Sequence, residues 1–195
     1  MRLLLAAAII ALTACASQHR EGPYSDRAEE RRDVAKAEAL YQEAKGLLTS
    51  DPARAAELLR GALSYDLYHG GAHNNLGVLL LNQDRLYDAA EEFEWARKLL
   101  PGNPEPRVNL ALVLDRAGRA AEALDSARTA LEVMPGNLPA MQLTAVIQLR
   151  EGKADARTAK YLEQISLRST DDAWRAWAMM QRDRITEWEV EGASN

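Results

Sequence analysis

One pattern, written twice at a fixed spacing, constrains this chain more than anything else in it. Ala89 and Ala123 correspond, as do Ala96 and Ala130, Pro101 and Pro135, Gly102 and Gly136, and Asn103 and Asn137, each pair 34 residues apart. A period of that length fits one unit of two antiparallel helices. Neither helix of such a unit buries its apolar face alone, so units stack and share a core along the array. The expected class is all-α, a helical-repeat solenoid. Composition agrees, with Ala and Leu dominant, a single Phe and no β-branched runs after residue 15.

Within the period, His73, Leu76, Gly77, Leu80, Ala89, Phe93, Ala96 and Pro101 form the first copy. Arg107, Leu110, Ala111, Leu114, Ala123, Ala127, Ala130 and Pro135 form the second. Over residues 70–137 these positions resemble the motif of the tetratricopeptide repeat family. Gly77 and Ala111 are small where the second helix of the unit crosses closest, and Ala89 is small for the reciprocal reason. Ala96 lets the next unit stack. Pro-Gly-Asn then stops the second helix, since Pro cannot continue it and Gly and Asn tolerate a left-handed turn.

Further units flank this pair, giving repeats at about 34–69, 70–103, 104–137 and 138–168 and a capping helix over 171–190. In the earlier unit Leu40, Ala44 and Leu47 make one apolar face, and Gly46 is poor helix stock. Asp51-Pro52 opens the second helix as N-cap and first helical residue. Ala55, Leu59 and Ala62 lie one period before Ala89, Phe93 and Ala96. In the last unit Met141, Ala145 and Ile147 to Leu149 are apolar, but Arg157 stands where a small residue belongs. Tyr161, Leu162 and Ile165 keep a helical stripe there. Thr170-Asp171-Asp172 caps a final helix carrying Trp174, Trp177, Ala178, Gln181, Ile185 and Trp188 at helical spacing. Trp174 and Trp177 are expected to cover the open end of the stack, with Trp188 more exposed; a Trp patch for a partner or membrane surface is the alternative reading of this helix.

The N-terminus reads as an export signal. Arg2 precedes an apolar run from Leu3 to Leu12 and then Thr13-Ala14-Cys15. That run is far short of the ~20 residues a spanning helix needs. Residues 1–14 are the expected signal. Leu12-Thr13-Ala14-Cys15 resembles a bacterial lipobox, which implies cleavage before Cys15 and lipidation of it. Cys15 is the only cysteine, so no internal disulfide is available. An ordinary signal peptide with an incidental Cys is the alternative. Two or more acyl chains, at about 0.8 kcal/mol per buried methylene, anchor a protein in effect permanently. Ala16 and Ser17 follow in place of the Asp that retains such lipoproteins in the inner membrane. The resemblance therefore implies the outer membrane of a diderm cell, with the domain facing the periplasm. Residues 15–27 make a polar tether and 28–190 the folded solenoid.

Little points to chemistry. The net charge of −5 is spread along the chain, which argues against a nucleic-acid surface. No GxSxG, Walker or GxGxxG pattern occurs, so no cofactor is implied and the chain does not read as an enzyme. His69 and His73 are four residues apart, a metal-compatible helical spacing. Gly70-Gly71 between them argues against a continuous helix, and no HExxH follows. A metal enzyme using His69 and His73 is the alternative of another class.

In the resembled family the first helices of successive units line a concave groove. Carried onto this sequence, its inward positions are Asn74, Asn75, Val78, Leu81 and Asn82, then Glu105, Val108, Asn109, Leu112, Asp115 and Arg116. The next unit offers Gln142, Leu143, Val146, Leu149 and Arg150. Asn amides donate and accept, which suits the backbone of an extended partner peptide. They are equally suited to solvation or to bonding neighbouring helices. The family's basic clamp for a C-terminal carboxylate is not reproduced. The resemblance extends in architecture to lipoproteins of type IV and tight-adherence pilus assembly, implying a scaffold for a protein partner. An adaptor for peptidoglycan hydrolases or synthases is a second reading.

Overall fold

The computed structural model describes residues 32–192, with side chains through Ile185. Cys15, the export signal and the tether lie outside the described residues, as does the side chain of Trp188. Among the described residues nine helices follow one another: α1 (Val34–Leu47), α2 (Pro52–Tyr65), α3 (Gly70–Asn82), α4 (Leu86–Leu99), α5 (Glu105–Arg116), α6 (Ala120–Val133), α7 (Leu138–Arg150), α8 (Ala156–Arg168) and α9 (Asp172–Gly192). They pack in sequence, α1 on α2, α3 on α4, α5 on α6 and α7 on α8, with each pair leaning on the next.

Local chemistry sets the starts. Asp33, Asp51 and Asn137 cap α1, α2 and α7 by accepting the N–H three residues on. Asp155 and Thr158 form a reciprocal capping box at α8. The cap of α3 is His69, whose Nδ1 accepts the Ala72 N–H at 3.1 Å. Contrary to the reading of Gly70-Gly71 as a break, both glycines belong to α3. Packing is the reason. A Cβ on Gly70 would sit 2.7 Å from Leu100, and one on Gly71 would sit 2.8 Å from the Tyr41 hydroxyl.

The left-handed turns also fall elsewhere than expected. Neither Gly102 nor Gly136 has positive φ; Asp84 (φ 61°), Gly118 (75°) and Gly152 (65°) do. These three are 34 residues apart and sit between the two helices of a unit. There Arg85, Arg119 and Lys153 each donate N–H to the carbonyl five residues back, closing the last turn of the first helix in a Schellman arrangement. After the second helices α4 and α6 the chain leaves at Pro101 and Pro135 with no residue of positive φ, and α2 and α8 end without a Pro at Asp66 and Ser169.

The core is small-on-large. Gly77 lies under Phe93, and a Cβ there would meet the ring at 2.7 Å. Ala55, Leu59, Ala62, Ala89, Phe93, Ala96, Ala123, Ala127 and Ala130 are wholly buried. In α8 the buried residues are Thr158, Leu162 and Ile165. Each falls 35 residues after its α6 counterpart instead of 34. α8 starts late, at Ala156, so the pattern slips one residue, and Arg157 points to solvent while Thr158 takes the small-residue slot. Most of α1–α6 shares one apolar cluster with Ile147, and a second joins Met141, Ala145, Leu162, Ile165, Ala178 and Ile185.

Candidate functional site

Consecutive first helices approach one another, α1 to α3, α3 to α5 and α5 to α7, whereas second helices do not. A stack that is closer along its first helices curves toward them. α1, α3, α5 and α7 therefore line its concave face.

On that face, polar side chains mostly tie one unit to the next. Asn109 Nδ2 donates to Asn74 Oδ1 at 3.1 Å, and Asn74 Nδ2 donates to Glu105 Oε1 at 3.2 Å. Asn74 is only 4% exposed, and its amide is spent on the neighbouring helix α5 and not on solvent. Arg116 donates to the Leu81 carbonyl (3.3 Å) and to Asp84 (2.8 Å). Arg150 grips Asp115 through two nitrogens, at 2.6 and 3.1 Å, and also reaches Glu151. Asp115 first, then Glu151, hold the Arg150 guanidinium more firmly charged than usual. Three of these contacts join residues 35 apart: one period plus one residue.

Between these ties lies what the face can offer a partner. Val78 and Val146 are half-buried, Leu112 is 38% exposed, and the three are one period apart. Asn75 is half-buried beside the Tyr41 hydroxyl, and Asn82 is exposed. Burial chiefly, and then the charges of Glu38 and Glu105, push the Tyr41 phenol above its ordinary range. The face is thus an apolar line edged by amides, with its arginines partnered. Leu81, an inward position by sequence, is buried. Tyr41 is a face residue that the family positions did not supply; its one-period distance from Asn75 was the available signal.

The two histidines are brought near each other but are engaged separately. With Nδ1 accepting at the α3 cap, His69 Nε2 donates to Glu38 at 3.0 Å. His73 is buried, with Nε2 2.9 Å from the Leu67 carbonyl and Nδ1 2.6 Å from Glu92, and it stacks on Trp95. Among the described residues no group of three or more His, Cys, Asp or Glu is placed to hold a metal. No described helix is long and apolar enough to cross a membrane.

No protein-family model matches the sequence, and no curated protein matches it. Solved structures do. A solved structure of Pseudomonas aeruginosa pilF is 22% identical with a TM-score of 0.71, covering 83% of this chain and 74% of that one. A crystal structure of MamA is 17% identical with a TM-score of 0.59, covering 83% and 84%. The first TPR of Spaghetti (RPAP3), solved with the HSP90 peptide SRMEEVD, is 15% identical with a TM-score of 0.60, covering 63% of this chain and 98% of that one. The chain has the tetratricopeptide fold. At these identities the likeness concerns architecture, and a fold hosts many functions.

Proposed function

We propose that this protein is a lipid-anchored scaffold, held by Cys15 at the outer membrane and facing the periplasm, whose concave face binds a segment of a partner protein. The observation that carries the binding half is the line Val78, Leu112, Val146. It repeats at one-period spacing on a face whose charged side chains are already paired. An extended segment laid along it buries apolar side chains at each step, with the Asn75 amide and exposed Asn82 beside it for its backbone. A solved neighbour of the same fold binds a peptide, which supports the class of partner. The anchoring half rests on the Leu12-Thr13-Ala14-Cys15 motif and on Ala16-Ser17. We further propose that the partner belongs to a pilus or secretion assembly. This reading draws on the architectural resemblance and on the likeness to pilF.

The test is photo-crosslinking in the native cell from position 78, followed by mass spectrometry of the adduct. One dominant partner from a pilus or secretion machine is expected. An adduct with a cell-wall enzyme would reassign the pathway, and absence of adducts from 78 and 112 would remove the groove reading. Globomycin-sensitive processing, with loss of acyl label in Cys15→Ser, tests the anchor.

A further inference from the structure

The regular stacking of first helices stops at α9. α7 comes close to α5 along its backbone but not to α9, whose backbone lies against α8, although side chains of α7 and α9 share the second apolar cluster. The opening left between α7 and α9 is a shallow recess of about 300 Å³ lined by Val146, Asp171, Ala173, Trp174 and Trp177. Val146 is the last member of the apolar line, so the recess terminates the concave face. Its two indoles stand nearly perpendicular, with ring centroids 5.1 Å apart and planes at 85°. Both are half-buried, so they present ring surface to the recess as well as packing on the second core cluster.

Asp171 is the only charged residue in the lining. It caps α9 through Oδ1 alone, which accepts the N–H groups of Ala173 (2.8 Å) and Trp174 (3.2 Å). Oδ2 has no protein donor among the described residues. Nearby cations are already committed: Arg175 bonds Asp172 and the Ser169 carbonyl, and Arg150 is held by Asp115 and Glu151. A corner of two indoles beside a carboxylate oxygen is complementary to a flat cation. The ring faces attract positive charge, guanidinium more often than ammonium, and the carboxylate gives directional bonds.

From this geometry we infer that the Trp174–Trp177 recess with Asp171 is a binding site for a cationic side chain, an arginine, of a partner segment. It deepens the scaffold reading by giving the concave face a charged anchor at its C-terminal end. An uncharged apolar residue would use the indole walls alone, whereas arginine also pairs with the exposed Asp171 carboxylate at the rim.

The test uses the full chain and small probes, so it stands apart from whether any partner is caught. N-acetyl-arginine amide and its citrulline counterpart, a neutral isostere, are titrated while indole N–H signals are followed by NMR. Trp174→Phe and Trp177→Phe assign the two signals, and Trp95 serves as reference. The expected result is movement of both recess signals with the arginine probe and little with citrulline. Asp171→Asn keeps the cap, since Asn caps as well as Asp, and is expected to weaken the arginine probe about three- to fivefold. Equal response to both probes, no response of the recess indoles, or full affinity in Asp171→Asn with unchanged helicity would each overturn the assignment. Failure here with a crosslink still obtained from position 78 would leave the groove standing without its anchor.

Discussion

Asn109 and Asn74 share a hydrogen bond of 3.1 Å across the seam between α5 and α3, and Asn74 passes the link on to Glu105. Asn74 is thus a fastener of the stack. Asn74→Ala removes one partner from two bonds at a buried site, which costs about 1–3 kcal/mol. Urea unfolding is expected to show that loss for Asn74→Ala and a much smaller one for exposed Asn82→Ala. Equal losses would mean the seam bond carries no stability.

Gly77 and Phe93 form a second such pair, this one within a unit. Gly77→Ala places a methyl 2.7 Å from the ring, an overpacking that costs about 1–3 kcal/mol. Phe93→Ala empties a fully buried site and costs about 3–5 kcal/mol. The next unit solves the same crossing with Ala111 and Ala127, both wholly buried. Gly77→Ala with Phe93→Ala copies that solution. The double variant is therefore expected to be more stable than the sum of the singles predicts, read by a double-mutant cycle. Strict additivity would show that the two residues do not constrain each other.

The turns at 84, 118 and 152 give opposite expectations for one backbone geometry. Gly118→Ala puts a Cβ on a residue at φ 75° and costs about 1–2 kcal/mol, although no atom lies in its way. Asp84→Gly relieves the same geometry at φ 61° and loses only an exposed ion pair with Arg116. Thermal melts are expected to fall for Gly118→Ala and to hold or rise for Asp84→Gly. A lower melting point for Asp84→Gly would assign Asp84 a structural role through Arg116.

The carboxylate that caps α8 makes that helix start sensitive to acid. The Thr158 N–H, chief among several donors, holds the Asp155 carboxyl below its ordinary value of 3.8. A carboxyl depressed in the fold contributes stability that is present above pH ~3.8 and is lost as pH falls through the lower folded value. Asp155→Asn keeps the cap without the proton linkage. Its unfolding free energy is expected to depend less on pH below about 4 than that of the wild type. Parallel profiles would remove Asp155 from the acid response.

The period was legible in the sequence because small residues repeat where helices cross, and crossings tolerate little else. Ala89, Ala96, Ala123 and Ala130 fixed the unit, and the cap at Asp51-Pro52 fixed a helix start. What stayed hidden was decided by neighbours distant in sequence. Gly70-Gly71 reads as a break by sequence, yet Leu100 presses on Gly70 and Tyr41 on Gly71 inside α3. Asn74 and Asn75 are adjacent and chemically identical, yet one bonds the next unit and the other lies beside Tyr41. The one-residue slip in α8 could not be read from Arg157 alone, because it depends on where the Asp155–Thr158 box starts the helix.

Leu112 offers the sharpest separation of binding from folding. It is the most open apolar residue of the concave line, at 38% exposure, and it lies midway between Val78 and Val146. Substitution at an open site shifts stability by no more than about 0.5 kcal/mol. A partner segment that covers it gains about 1–2 kcal/mol of apolar burial there. Leu112→Asn is accordingly expected to melt with the wild type while crosslinking from position 78 falls by about five- to thirtyfold. The crosslink yield of Tyr87→Asn, at a still more open apolar site (85% exposed) on second helix α4, is expected to stay at wild-type level. If Tyr87→Asn lost the adduct and Leu112→Asn kept it, the partner would bind along the second helices and the concave face would be scaffold alone.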